Sequence, residues 1–260
     1  MGSVGGLAGR VAVVTGVSRR RGIGHAVARR LGAMGAALCV AHHRPHDVAQ
    51  PWGADDLDAV LASVREAAPR VHDVAADLAE PDAAERVIAE AVAVYGHVDI
   101  LVCVHARSGT DGSLLTMDAA ALDAHWQVNA RSTLLLTRYF AAQHDGRPGG
   151  RVVWFSSGQH LGPMPGEVAY TASKGALTGA LPTVAAELAE RGVLLNAVNP
   201  GPVDTGYLPD PADFPGFARA FPLGRYGVPD DAARLVGWLV SDDGGWVTGQ
   251  VLSTEGGFRR

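Results

Sequence analysis

Tyr170 and Lys174 stand four residues apart in Tyr170-Thr171-Ala172-Ser173-Lys174, and Lys174 is the sole lysine of the chain. On a helix this spacing puts both side chains on one face. An ammonium is a compact charge with three donors on a flexible stem, which a guanidinium is not. Beside a phenol it favours the phenolate and lowers the phenol's pKa from about 10 toward the working range, as proton transfer to a carbonyl oxygen requires. The same pair is also compatible with an exposed helix face that does no chemistry. A second chemical signal is the turn Thr15-Gly16-Val17-Ser18-Arg19-Arg20-Arg21-Gly22-Ile23-Gly24. Gly16 permits a sharp turn, Gly22 lets backbone approach phosphate oxygens, and Gly24 lets a helix close onto a strand. The spacing differs from the common dinucleotide fingerprint, and glycine-rich turns also arise for steric reasons alone.

Both signals need a scaffold that presents them together. Short apolar runs suited to strands lie at Arg10–Thr15, Ala37–His42, Arg70–Val74, Asp99–Val104, Arg151–Phe155, Val193–Val198 and Gln250–Ser253. Between them, Ile23–Met34, Asp55–Ala68, Asp82–Tyr95, Ala119–Ala142, Tyr170–Arg191 and Asp230–Val240 have helical length and period. Strands alternating with helices predict an α/β, doubly wound fold: a seven-stranded parallel sheet with helices on both faces. In such sheets ligands bind beyond the carboxyl ends of the strands, where the glycine turn lies. No linker or repeat interrupts the pattern, so residues 1–260 read as one domain. The stretch Pro202–Pro222 is broken by Pro209, Pro211, Pro215, Gly216 and Pro222 and reads either as a lid over a site or as a disordered insertion.

Composition narrows the function classes. A net charge of −5 with scattered arginines lacks the basic footprint of a nucleic-acid binder. No apolar run reaches the length of a membrane span, and Met1–Gly6 lack the pattern of a secretory leader. Cys39 and Cys103 sit in strand-like apolar runs, as small buried hydrophobes do in a reducing cytoplasm. His42, His43 and His46 lack a ligand spacing, so no metal is expected.

Several ordered motifs together resemble the short-chain dehydrogenase/reductase family, and within it the 3-oxoacyl-(acyl-carrier-protein) reductases. The resemblance runs from Val11 to Gly257. Thr15-Gly16 and Gly22-Ile23-Gly24 match the family's nucleotide turn with two extra residues between them. Ser157, thirteen residues before Tyr170, matches its catalytic serine, and Asn129 in Val128-Asn129-Ala130 its catalytic asparagine. Asn199-Pro200-Gly201-Pro202-Val203-Asp204-Thr205 is similar to its Pro-Gly motif, and Val247-Thr248-Gly249-Gln250 with Glu255-Gly256-Gly257 to its closing signature. Where the family has Asn-Asn-Ala-Gly, this chain has Cys103-Val104-His105-Ala106, which puts the local geometry and the adenosine-ribose contacts in question.

The resemblance implies a Rossmann fold and a carbonyl reductase or alcohol dehydrogenase acting on a ketone of the 3-oxoacyl-thioester type. Tyr170 donates the proton, Ser157 polarises the carbonyl oxygen, Lys174 lowers the tyrosine's pKa and binds the nicotinamide ribose, and Asn129 positions a water that links Lys174 to solvent. Implied nucleotide contacts are Gly16, Ser18, Arg19, Arg20, Gly22, Ile23 and Gly24, then His43, Arg44, Asp77, Leu78 and His105, and finally Tyr170, Lys174, Pro200, Gly201, Val203 and Thr205. Basic groups after the second strand favour NADP(H). Asp47, able to fold back to the ribose, keeps NAD(H) open. His105, Arg107, Ser108, Gln159, His160, Met164 and Glu167 are candidate pocket residues, with Tyr207, Phe214, Phe217 and Phe221 on the lid. Their mixture also suits a polyketide, sugar or aminocyclitol ketone of specialised metabolism. Arg131, Arg138 and Arg191 are candidates for docking a carrier protein. A homotetramer built through the long central helices is expected from the resemblance, and a non-catalytic nucleotide sensor is the alternative of another class.

Overall fold

A computed structural model describes residues 6–109 and 111–260. Its centre is one parallel sheet in the order β3-β2-β1-β4-β5-β6-β7. The strands are β1 (Val11–Thr15), β2 (Ala37–His42), β3 (Val71–Ala75), β4 (Ile100–Cys103), β5 (Gly150–Phe155), β6 (Val193–Asn199) and β7 (Val251–Ser253). Every residue of β1, β4 and β5 is buried, which explains why these strands read as unbroken apolar runs. Both faces of a parallel sheet are covered by crossover helices.

Alternate side chains feed two cores. One gathers Val13, Leu101, Trp154 and Leu195 beneath α4 (Ala83–Tyr95), α6 (Ser132–Gln143) and α7 (Val168–Ala189). The other gathers Val14, Leu38, Val102 and Val198 beneath α1 (Ile23–Ala33), α3 (Leu57–Arg65) and α9 (Pro229–Val240). Each fully buried side chain of this kind contributes about 1.5–3 kcal/mol. Trp154, the largest, also donates its indole N–H to Thr137 Oγ1 at 2.9 Å.

The strand order reverses between β1 and β4, which pair through Ala12↔Ile100 to Val14↔Val102. That switch point sets the glycine turn after β1 against the segment after β4.

Two expectations need correction. The single helix expected over Ala119–Ala142 is α5 (Ala119–His125), a π-turn (Trp126–Arg131) and α6. A π-turn inserts a wider hydrogen-bonded ring without disturbing apolar periodicity, and such turns gather at functional sites. Asn129 lies within it. The 202–222 stretch is not devoid of order, because it holds a 3₁₀ turn (Pro211–Asp213) and α8 (Phe217–Ala220). Phe221 packs there against Phe217, Tyr226 and Phe258, with ring centroids 4.8, 4.8 and 4.9 Å away. A further short helix, α2 (Arg44–Val48), follows β2. No helix among the described residues is long and apolar enough to cross a membrane. Met1–Gly5, and with them most of the segment scanned for a leader, lie outside those residues.

Candidate active site

The glycine turn is built to approach a ligand. Gly16 has φ 74°, and a Cβ there would stand 2.9 Å from the His105 amide nitrogen. Gly24 packs so tightly on the Gly16 carbonyl that any side chain would collide with it. No side chain caps α1 at Gly22, so its first N–H groups remain available to an anion. These features fit a dinucleotide's pyrophosphate.

Around the crevice the other expected nucleotide residues take up varied positions. Ser18 donates to Asp47 Oδ2 at 2.6 Å, both residues buried. Arg19 donates to the Thr205 carbonyl at 2.8 Å and lies over Trp52, 5.4 Å from its ring centroid. The Arg20 amide donates to Asp55. His43 stands 3.7 Å from Asp77, and the exposed Arg44 side chain makes no hydrogen bond or ion pair to any described residue. Among the described residues no cluster is placed to hold a metal ion.

His105 is held at both ring nitrogens. Its Nε2–H donates to the Val128 carbonyl at 3.0 Å and lies 2.7 Å from Ser132 Oγ, while Nδ1 accepts from Thr15 Oγ1 at 2.6 Å. The imidazole thus ties the end of β1 to the π-turn. Burial and the Lys174 charge pull its pKa down to about 3, so it stays neutral. One ring with two polar ends braces the segment Cys103-Val104-His105-Ala106.

Beyond β5 and β6 the four candidate catalytic residues converge. Ser157 follows β5, and its hydroxyl lies near enough to the Tyr170 phenol to act on its ionisation. Lys174, 2% exposed, lies 5.9 Å from the Tyr170 ring centroid and donates to the Phe155 carbonyl at 2.8 Å. The buried Asn129 side chain accepts from the Arg107 amide at 2.7 Å and donates to the Arg107 carbonyl and to Ser173 Oγ. Ser173 in turn donates to the Tyr170 carbonyl at 2.7 Å. Asn129 therefore pins the β4 loop to the helix that carries Tyr170 and Lys174.

The electrostatics differ from the expected priming. Burial pushes the Tyr170 phenol well above its ordinary value, opposed by the nearby Ser157 hydroxyl and reinforced by Tyr207 and Glu167. Burial also pulls Lys174 down, to about 8. Removal from water, which penalises both charged forms, outweighs the attraction of the ammonium for a phenolate. The resting pair is a protonated phenol beside a weakly held ammonium proton.

Two residues that motif reading missed complete the site. Asp111 accepts from the amides of Ala169 at 2.9 Å and Tyr170 at 2.7 Å, capping α7 from a distant loop, since the helix's own N-cap residue Glu167 makes no side-chain cap. Burial raises the Asp111 carboxyl, but the Tyr170, Ala169 and Gly112 amides outweigh it and hold the group below its usual range. The missing local cap was the one sequence signal that could have pointed to it. Replacing Asp111 with alanine should cost about 1–2 kcal/mol, seen as a fall of roughly 2–4 °C in thermal midpoint, together with a loss of turnover as the Tyr170 amide comes free. Trp52 is the other residue, its ring 5.4 Å from that of Tyr207. This contact joins the loop after β2 to the 202–222 stretch.

Comparison with known proteins agrees with this geometry. A family profile described as Enoyl-(Acyl carrier protein) reductase matches residues 16–259. The chain is 36% identical to an uncharacterized oxidoreductase, YjdA, of Bacillus subtilis, over 96% of this chain and 97% of that protein. A dehydrogenase/reductase from Sinorhizobium meliloti superposes with a TM-score of 0.85 at 35% identity, covering 97% of this chain and 96% of that one. LugOII, described as a promiscuous reductase that catalyses keto-reduction at C1 during lugdunomycin biosynthesis, superposes with a TM-score of 0.81 at 31% identity, covering 96% and 98%. The chain belongs to the short-chain dehydrogenase/reductase family, oxidoreductases that work with a nicotinamide cofactor.

Proposed function

We propose that the protein is an NADP(H)-dependent ketone reductase acting on a small polyfunctional ketone. The observation that carries this is a Tyr170 phenol that burial keeps protonated, with the Ser157 hydroxyl near it and the buried Lys174 5.9 Å from its ring centroid. A bound dihydronicotinamide supplies hydride to the carbonyl carbon. Tyr170 gives its proton to the carbonyl oxygen as negative charge develops there, and Ser157 hydrogen-bonds the same oxygen. Lys174 offsets the charge left on the phenolate and holds ribose hydroxyls, and Asn129 keeps the helix and the β4 loop in register.

The pocket's charge favours a substrate that brings hydroxyl or amino donors. Glu167 and Tyr207 both act electrostatically on Tyr170, and burial together with the nearby Asp111 raises the Glu167 carboxyl. Carrier docking has weaker support. Arg131 already donates to the Ala79 carbonyl, and the Arg138 guanidinium lies 5.1 Å from the Tyr139 ring centroid. The similarity to a keto-reductase of a biosynthetic pathway points the same way. Comparing NADPH oxidation with β-ketoacyl thioesters, cyclic aryl ketones and ketosugars tests this. Highest kcat/KM on a thioester would shift the assignment to the 3-oxoacyl class, and no oxidation at all would favour the sensor.

Cofactor choice sets the exposed Arg44 against Asp47. A 2′-phosphate gains a charge-assisted hydrogen bond from the former and repulsion from the latter. Arg44→Ala is expected to raise the KM for NADPH about ten-fold and leave that for NADH unchanged, whereas Asp47→Asn lowers the NADPH value. NADH preferred by the unaltered protein, and insensitive to Arg44, would reverse the assignment.

A further inference from the structure

We infer that Arg260 is a positioning residue for Ser157, acting through a brace with Glu255 between the serine turn and the loop after β6. The inference rests on the catalytic role proposed for Ser157 and goes beyond the family match, which ends at residue 259.

The turn behind Ser157 is poorly anchored by its own bonds. Leu161 and Gly162 both donate to the Gly158 carbonyl, at 2.9 and 3.2 Å, and the His160 ring bonds the Ser157 carbonyl, so these contacts stay within the turn. Outward, Gln159 reaches Thr178 Oγ1 only at 3.5 Å, the limit of a hydrogen bond. Ser157 itself is extended, with φ −150° and ψ −179°, and its hydroxyl otherwise faces only the Met164 sulfur at 3.9 Å.

Arg260 fills the space this turn leaves. A Cβ at Gly158 would collide with its guanidinium, and one at Gly162 with its Cδ. Glycine at both positions lets the arginine lie flat against the turn. The guanidinium is held in a two-pronged pair, Nη1 to Glu255 Oε2 at 3.1 Å and Nη2 to Oε1. With side-chain exposures of 23% and 8%, this pair is far drier than the protein's surface ion pairs, so solvent and salt weaken it less.

The far end of the brace is the Pro-Gly loop. Gly201 has φ 66°, and a Cβ there would stand 2.8 Å from Glu255 Cγ. Thr254 donates to the Asn199 carbonyl at 2.9 Å, fixing the base of the same segment. The lid joins in as well, since the Arg259 amide donates to the Ala220 carbonyl at 2.9 Å and Phe258 packs on Phe221. One ion pair therefore couples the catalytic serine, the expected nicotinamide loop and the lid.

The test uses the full chain with Arg260→Ala, Arg260→Lys, Glu255→Gln and Ser157→Ala. Hydrogen–deuterium exchange needs no substrate: Arg260→Ala and Glu255→Gln should speed exchange at the Leu161 and Gly162 amides about ten-fold and leave the β5 amides unchanged. With the best ketone of the panel and NADPH, Arg260→Ala should lower kcat ten- to a hundred-fold, as a displacement of about 1 Å does. Arg260→Lys should restore part of the loss. In a Ser157→Ala background the Arg260→Ala change should cost little more, because both act on one hydroxyl. Unchanged exchange and kcat in Arg260→Ala, or a full additive loss in the double variant, overturns the brace and leaves the function standing. Wild-type turnover in Ser157→Ala overturns the function itself, and the brace's purpose with it.

Discussion

Tyr170→Phe should reduce ketone turnover by about 10²–10⁴-fold, the range for loss of a positioned proton donor, while leaving dinucleotide binding intact. Burial keeps the phenol protonated, with the Ser157 hydroxyl near it. The ring remains, so packing around it, including the edge contact with His125 at 6.4 Å between centroids, should survive. Steady-state turnover and nucleotide fluorescence titration measured on the same preparation separate the two effects. Wild-type turnover in the variant would remove Tyr170 from the mechanism.

The pH profile of reduction carries the second large effect. Lys174 ionises near 8 in the folded protein, below its ordinary 10.5. Its ammonium must be present to offset the charge left on Tyr170, so kcat/KM should be level on the acid side and fall about ten-fold per unit above pH 8. Tyr170 cannot produce that break, because its own shift is upward. Nor can this lysine produce it by unfolding the protein. Between about pH 8 and 10.5 the unfolded chain binds more protons at this group than the folded one, so its contribution to stability rises with pH through that window. Lys174→Met should be slow at every pH and show no break near 8. A break retained in that variant would assign it to another group.

How much of this was legible in the sequence depends on whether the cause is local. Arg10–Thr15 and Arg151–Phe155 were readable as strands because both faces of β1 and β5 are buried, leaving continuous apolar runs. The Tyr170–Lys174 spacing and the Ser157 position follow from helix geometry and motif order. The π-turn around Asn129 leaves no mark in the apolar period of Ala119–Ala142, and α8 hides among prolines and glycines. Spacing located Lys174, but whether its charge or its burial governs the phenol depends on depth, which spacing does not encode. Asp111 reaches the Tyr170 amide across 59 residues, and His105 bridges Thr15 to Val128. Such pairings are fixed by sheet order, since β4 beside β1 brings those loops together. The brace from Glu255 to Arg260 is hidden for the same reason, because its partners are the glycines at 158, 162 and 201.

The central claim is that this crevice reduces a ketone by hydride addition, with Tyr170 supplying the proton. Incubating the protein with dihydronicotinamide dinucleotide phosphate carrying deuterium at C4, across the thioester, aryl-ketone and ketosugar panel, tests it most directly by mass spectrometry of the products. At least one product alcohol should carry a single deuterium on its carbinol carbon, delivered with one stereochemistry and absent with Tyr170→Phe. Tight nucleotide binding with no deuterium in any product would contradict the claim.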